Sequence, residues 1–195
     1  HKLTPPATLA ILDSGEMALD GIIGPGHVTT IIGSDAWTFL PKEYHIGCAV
    51  AGFEPLDLLR AILVLVKMVE AGTSEVNNAY ARSVKPAGNA AARQAMEQVF
   101  EVVNAEWRGF GIIPSSGLRV AEEYAHLDAS RRFSVEVPPP REPAGCRCGD
   151  VLRGVLLPTE CALFASACTP QTPVGPCMVS AEGACAAYYR YGRHG

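Results

Sequence analysis

Residues 46–72 read IGCAVAGFEPLDLLRAILVLVKMVEAG, and the change of period inside this stretch decides the fold class. Ile46 to Gly52 is an unbroken apolar run of strand length, the pattern of a strand buried on both faces of a parallel sheet. After Glu54 the period lengthens. Leu59, Ile62, Leu63, Val66 and Val69 recur at spacings of three and four, which places them on one face of a helix. Pro55 suits the first turn, where its missing N–H has no partner to lose, and Gly72 suits the C-terminal cap. Leu58 and Leu65 widen the stripe, so this helix is expected to be well buried.

The flanking segments extend the same alternation. Residues 21–33, GIIGPGHVTTIIG, suggest a buried strand, a tight turn at Gly24-Pro25-Gly26 and a resumption of structure. Residues 1–19 read as a short helix capped at Thr4 or later and opened by Pro5-Pro6. A second helix is expected over Ala90 to Trp107, with Ala92, Met96, Val99, Val103 and Trp107 as its stripe. Strand–helix–strand order predicts an α/β fold, a parallel-sheet α/β body with helices packed on it. Phe133 to Val137 reads as a last strand. Pro138-Pro139-Pro140-Arg141-Glu142-Pro143 then reads as a stiff extended linker. The expected division is an α/β domain over 1–137, a Pro-rich linker over 138–144 and a cysteine-rich module over 145–195.

Composition bounds the function. With 195 residues, 48% of them hydrophobic and 18% charged, the chain can bury a real core. A net charge of −4, with only the short basic runs Arg131-Arg132 and Arg190 to Arg193, argues against nucleic acid as a partner. The best apolar run, Leu56 to Val69, is interrupted by Asp57, Arg60 and Lys67, so no membrane span is expected. A soluble, cytoplasmic protein is the expectation. The chain starts at His1, which suggests that it begins inside a longer protein.

Cysteine carries the chemistry. Cys48 stands alone, while Cys146, Cys148, Cys161, Cys168, Cys177 and Cys185 crowd the C-terminal segment with the spacing C-x-C-x12-C-x6-C-x8-C-x7-C. Structural zinc sites usually show two C-x2–4-C knuckles, and neither is here. The C-x2-C-x2-C-x3-C run of bacterial ferredoxins is absent too. A disulfide framework is weakened by a preceding segment that needs no staples. A [4Fe–4S] cluster needs four thiolates and backbone N–H groups aimed at its sulfurs, and Gly- and Pro-rich loops let the main chain come close. Thr169-Pro170, Pro173-Val174-Gly175-Pro176 and Glu182-Gly183 are such loops. The expected ligands are Cys161, Cys168, Cys177 and Cys185, which share one block. Cys146 and Cys148 are left as alternatives, as a redox-active pair or as structural thiols. Ser180 is a candidate cap for a last helix over Ala181 to Tyr189, which would set Cys185 near the positive end of the helix dipole. A zinc- or disulfide-stabilised interaction domain without a redox role is the competing reading.

Other residues have plainer accounts. His27, in the Gly26-His27-Val28 turn, is either a structural hydrogen-bonder or a contact to ligand or iron. Gly24-Pro25-Gly26 lacks the Lys and Ser/Thr of a phosphate-binding loop, so tight-turn geometry explains it. Glu54 and Asp57 suit a helix N-terminus. Ser115-Ser116-Gly117 has no G-x-S-x-G elbow around it and reads as a cap or turn. Cys48 reads as a small buried hydrophobe, and Tyr188, Tyr189 and Tyr191 as packing for the terminal helix.

The stretches CRCGDVLRG, CALF with CTP and PVGPCMVS, and SAEGACAAYYRYG resemble the C-terminal signature of the HypD family of hydrogenase maturation proteins. The likeness continues upstream in DGIIGPGHVTTIIG, VAGFEPLDLL, the Asn89 region and WRGFGIIPSSGL, and so covers nearly the whole chain. It implies a maturation scaffold or redox factor, not a conventional turnover enzyme. The implied role is assembly of the Fe(CN)2CO centre of [NiFe] hydrogenases, with a [4Fe–4S] cluster as electron relay. It implies three partners: a HypC-type small chaperone, a HypE-type cyanide donor and the hydrogenase large subunit. The chain also departs from the family pattern. It lacks the Cys-Gly-Thr-His motif, whose cysteine is tied to iron handling, and the Cys-Pro-Val-Cys pair. A fragment or a truncated form is the expectation, with a cluster site that survives and iron assembly that this chain alone does not complete.

Overall fold

The computed structural model describes residues 1–107, 110–134, 136 and 143–192 and is an α/β fold built on a parallel three-stranded sheet. Helix α1 (Thr4–Asp13) comes first, and strands β1 (Gly21–Pro25), β2 (Gly47–Ala51) and β3 (Val76–Asn78) pair in that order. α2 (Gly26–Ile32) and α3 (Phe39–Glu43) connect β1 to β2, and α4 (Pro55–Ala71) connects β2 to β3. α5 (Ala90–Val99) runs directly into β4 (Phe100–Trp107), which pairs with β5 (Gly111–Val120). Among the described residues, four short α-helices follow: α6 (Ala129–Arg132), α7 (Cys148–Leu152), α8 (Pro176–Val179) and α9 (Ala184–Tyr191).

The chain packs as two compact units. The sheet unit comprises Leu19–Val102 and Leu118–Asp128, and the cysteine unit comprises His1–Ala18, Val103–Gly117 and the chain from Ala129 onward. The linker expected over 138–144 lies outside the described residues except for Pro143 and Ala144. Of the expected strand Phe133 to Val137, Phe133, Ser134 and Glu136 are not in a strand, and Val135 and Val137 lie outside the described residues.

In the sheet unit β2 is buried at all positions, as its uninterrupted apolar run predicts. Gly21 pairs with Gly47 and the register runs to Pro25 opposite Ala51, while Cys48 to Val50 face Val76 to Asn78 on the other side. Small residues on one face of the sheet admit α4 closely. A methyl group at Gly47 would stand 2.7 Å from Met68 Sδ, and one at Gly21 would stand 3.0 Å from Leu65. Ala49, Ala51 and Ala61 form the core there, with Leu58, Val64 and Leu65 packed against them. Gly72 ends the helix at φ 63°, the left-handed conformation that glycine adopts without strain.

This geometry corrects the helix face expected from sequence. The buried line of α4 is Asp57, Ala61 and Met68, flanked by Leu58 and Leu65, whereas Leu59 (64% exposed), Ile62, Leu63, Val66 and Val69 face outward. A helix that meets a floor of Gly and Ala uses its own small residue, Ala61, at the closest approach, so the bulkier aliphatic row turns away. The helix expected over Ala90 to Trp107 also needs correction, because it stops at Val99. Within Phe100–Trp107, the stretch Val103–Trp107 alternates between half-buried and exposed positions, a period of two, and β-branched and aromatic residues favour the strand. α1 ends at Asp13 with Leu3 as its N-cap, one residue before the expected cap. Ser115-Ser116-Gly117 lies within β5 and not in a cap or turn, although Ser115 has φ 51° and its N–H donates to Asn104 Oδ1 (3.0 Å). Buried Ser116 donates to the Ile113 carbonyl and accepts from Trp107 Nε1, both at 2.8 Å, so its hydroxyl is committed to structure.

Candidate metal centre

In the cysteine unit, the C-terminal segment builds a small core out of sulfur. Cys148, Cys168, Cys177, Cys185, Met178 and Ala186 are buried together, with Cys146, Val151, Leu163, Phe164, Val174 and Tyr189 packed against them. Each thiol is set by a short local element. Cys148 opens α7, whose first-turn Asp150 binds Arg147 and also Arg153 (2.5 Å). Asp150 is held below the usual carboxylate range chiefly by the Arg147 contact. Arg153 donates to the Glu16 carbonyl (2.8 Å) and its own carbonyl accepts from the Ala18 N–H (2.9 Å), which ties α7 to the N-terminal segment of the same unit. Cys161 follows the 3-10 turn Pro158–Glu160, and Glu160 accepts from the Leu157 N–H at 2.7 Å.

Cys168 sits where the main chain folds back. Its N–H donates to the Leu163 carbonyl (2.8 Å), and its sulfur accepts the Val174 N–H (3.3 Å). Cys177 lies in α8 and Cys185 in the first turn of α9, with their sulfurs 3.0 Å apart. Glycine is required twice. A methyl group at Gly175 would run into Cys146 Sγ, and one at Gly183 would run into the Cys177 carbonyl. The last helix starts at Ala184 with Gly183 as its N-cap; Ser180 instead ends α8. The later start moves Cys185 into the first turn, nearer the N-terminal end than a helix from Ala181 would place it. Tyr188 and Tyr189 stand edge-on to Phe164 at 6.1 and 6.0 Å, whereas Tyr191 is exposed and packs little.

Thiol electrostatics single out Cys177. The Cys148 thiol beside it, and then the Cys185 thiol, lower it below the usual thiol range. Cys148 is held above the usual thiol range by the same contact and by burial. Cys185 is raised first by burial and then by its contact with Cys177. Burial also raises Cys146. Thiols gathered in this way can hold a soft metal or an iron–sulfur cluster once deprotonated. Among the described residues, no three His, Cys, Asp or Glu side chains are grouped about one metal-ion position.

Of the four expected ligands, the fold buries Cys168, Cys177 and Cys185 together and leaves Cys161 half-buried. Cys148, kept as an alternative in the sequence reading, is as buried as the three. Cys48 lies in β2, fully buried, and burial pushes its thiol up to about 12.

A second group surrounds His27 in the sheet unit, at the C-terminal ends of β1 and β2. His27 is exposed in the first turn of α2, with its ring 5.1 Å from Phe53 and 5.9 Å from Tyr80. Arg82 lies over the Tyr80 ring at 4.3 Å and binds both Glu54 (3.0 Å) and buried Asp57. Arg82 holds the Asp57 carboxyl down to about 2. Phe53, Tyr80 and Arg82 were not anticipated. The sequence carried no signal for them, because only the fold puts Asp57 on the inner face of α4, where a carboxylate requires a cation nearby.

The family model described as "HypD: Hydrogenase formation hypA family" matches residues 1–192. The hydrogenase maturation factor HypD of Azotobacter vinelandii is 47% identical over 199 residues, which cover 99% of this chain and 52% of that protein. Its counterpart in Cupriavidus necator is 46% identical over 99% of this chain and 53% of its own length. That of Rhizobium leguminosarum bv. viciae is 46% identical, over 99% and 52%. The chain therefore spans about half the length of the curated relatives it matches, and it belongs to the HypD family.

Proposed function

We propose that this chain acts in hydrogenase maturation through a [4Fe–4S] cluster held by Cys161, Cys168, Cys177 and Cys185. The observation that carries the proposal is the sulfur core of the cysteine unit. Three of these four thiols are buried together, and the Cys148 and Cys185 thiols beside Cys177 favour its thiolate form. The Val174 N–H points at the Cys168 sulfur, which is how a protein offsets the negative charge of bound thiolates. When bound, the cluster supplies one-electron redox chemistry. Cys146 and Cys148 support it: Cys148 donates to Cys177, and Cys146 packs against Gly175. In the apo chain the close Cys177 and Cys185 sulfurs share a proton, and a metal that took both would release it.

The cargo is iron that carries cyanide and carbonyl ligands, destined for the Fe(CN)2CO centre of a [NiFe] hydrogenase. The partners are a HypC-type small chaperone, a HypE-type cyanide donor and the hydrogenase large subunit. His27 is the contact offered by the sheet unit: its exposed imidazole, set by Phe53 and Tyr80, can meet cargo or chaperone. The chain works as a scaffold and redox factor of the α/β type.

Anaerobic reconstitution with iron and sulfide tests the cluster. Roughly four irons and four sulfides per chain, with broad absorption near ~400 nm, is the expected result. Stoichiometric zinc without sulfide after reconstitution would instead favour a zinc-stabilised interaction domain. Single Cys→Ala changes at the six C-terminal positions then assign the ligands.

A further inference from the structure

The outward row of α4 is an apolar feature of the sheet unit that its own packing does not use. Leu56, Leu59, Ile62, Leu63, Val66 and Val69 lie along one side of a 17-residue helix, and each is about half exposed or more. Isolated exposed aliphatics are ordinary, but a continuous row along one helix marks a surface that another element covers. The neighbouring sheet edge is open as well. Among the described residues β1 pairs only with β2, so one side of Gly21–Pro25 presents main-chain groups without a ladder. Its sequence, GIIGP, carries no charge to block pairing, and Ile23, on the face that α4 covers, is 41% exposed. Three strands are also few for a parallel sheet, whose strands are normally covered on both faces within sheets of about five or six.

We propose that the β1 edge and the outer row of α4 together seat a strand-and-helix segment belonging to the half of the relatives' polypeptide that this chain does not span. The strand would extend the sheet beyond β1, and the helix would lay an apolar face on Leu59, Ile62 and Val66. The length comparison selects this occupant over a second copy of the chain. The matched relatives carry about as much polypeptide again, while 99% of this chain aligns within their other half. The proposal rests on family membership and not on the cluster, so the two fail separately.

The test mixes the 195-residue chain with the unspanned half of the Azotobacter vinelandii relative, made as a separate polypeptide, and reads association by size-exclusion light scattering. The α4 changes are Leu59→Glu and Val66→Lys, with Leu127→Glu as a control at an exposed position of the same unit. All three sites are exposed, and far-UV circular dichroism checks that the fold persists. A one-to-one complex is expected, weakened at least tenfold by either α4 change and not by the control. Equal binding by the α4 variants overturns the proposal. So does a homodimer that those variants abolish, or no association with a folded partner half. Should the partner half not fold alone, it is fused to the chain, and alkylation of Leu59→Cys is compared with that of Leu127→Cys. Protection of position 59 of at least tenfold in the fusion is the expected result, and equal rates in the fused and unfused chains overturn the proposal.

Discussion

The sheet unit and the sulfur core of the cysteine unit solve the same problem with different materials. In the sheet unit, order comes from shape: Gly21, Gly47, Ala49 and Ala51 make a smooth floor, and α4 settles on it through Ala61, Leu65 and Met68. The core of the cysteine unit is built from four thiols, a methionine and an alanine, on helices of four to eight residues joined by loops. Helices of that length have little stability of their own. The first region is held by packing that works in any redox state. On the proposed cluster reading, the second would depend on what its thiols bind, so that its stability and its function would be the same chemistry.

The sharpest way to break this comparison is to remove sulfur. Cys177→Ala takes out the thiol whose thiolate its neighbours favour and a contact of both Cys148 and Cys185. Iron and sulfide incorporation on reconstitution is expected to fall to background, and proteolysis between Cys146 and Cys185 to accelerate. The urea midpoint of the sheet unit, read from Trp37 fluorescence in a chain with Trp107→Phe, should not move. A parallel fall in that midpoint would show that the two regions are one cooperative block.

The reverse change is Ala49→Leu. Ala49 is fully buried beneath α4 next to Ala61, and overfilling such a site costs about 1–3 kcal/mol. Sheet-unit stability is expected to fall by about that amount while iron uptake by the cysteine unit is unchanged. Loss of both would contradict independent packing.

These contrasts explain what the sequence could show. β2 was legible because a strand buried on both faces leaves no choice of face, and the ends of α4 because Pro55 and Gly72 have backbone reasons to sit there. The buried side of α4 was not legible. Periodicity identifies an apolar row, but Asp57 and Ala61 lie on the inner side because of the sheet floor and Arg82, neither of which is local in sequence. The strand Phe100–Trp107 was hidden for a related reason. Met96, Val99, Val103 and Trp107 continue a helical spacing past the point where pairing with β5 takes over. For the site, the cysteine count and block were plain, yet which thiols meet was not, because Cys148 joins the core through α7 and its Asp150 bridges.

Acid separates the regions further. The ordinary carboxyl value of 3.8 for Asp57 is lowered to about 2 in the fold, so its contribution is fully present above about pH 4 and is lost as the pH falls from about 4 to about 2. Asp57→Asn is expected to lower sheet-unit stability at neutral pH and to flatten its dependence on pH across that window, as followed by urea titrations at pH 2, 3, 4 and 6. An unchanged slope would mean that the Arg82 contact does not persist in solution.

Cys48 offers the finest test, because it places a thiol inside the region that does not depend on sulfur. Its ordinary value of 9.0 rises to about 12 in the fold, and burial is the main cause. The folded state keeps its proton where the unfolded chain has already lost it. Stability is therefore unaffected below about pH 9 and declines as the pH rises from about 9 towards 12, by about 1.4 kcal/mol per unit. Cys48→Ala should remove that alkaline decline at a modest cost at neutral pH, from a small cavity beside Gly24 and Val50. Iodoacetamide at pH 8 should leave Cys48 unmodified until urea unfolds the sheet unit, while the half-buried Cys161 of the apo chain reacts first. If Cys48 reacts as fast as Cys161 in native buffer, the sheet unit opens readily, and the distinction between a region held by shape and one held by thiol chemistry fails at the residue where both could be read.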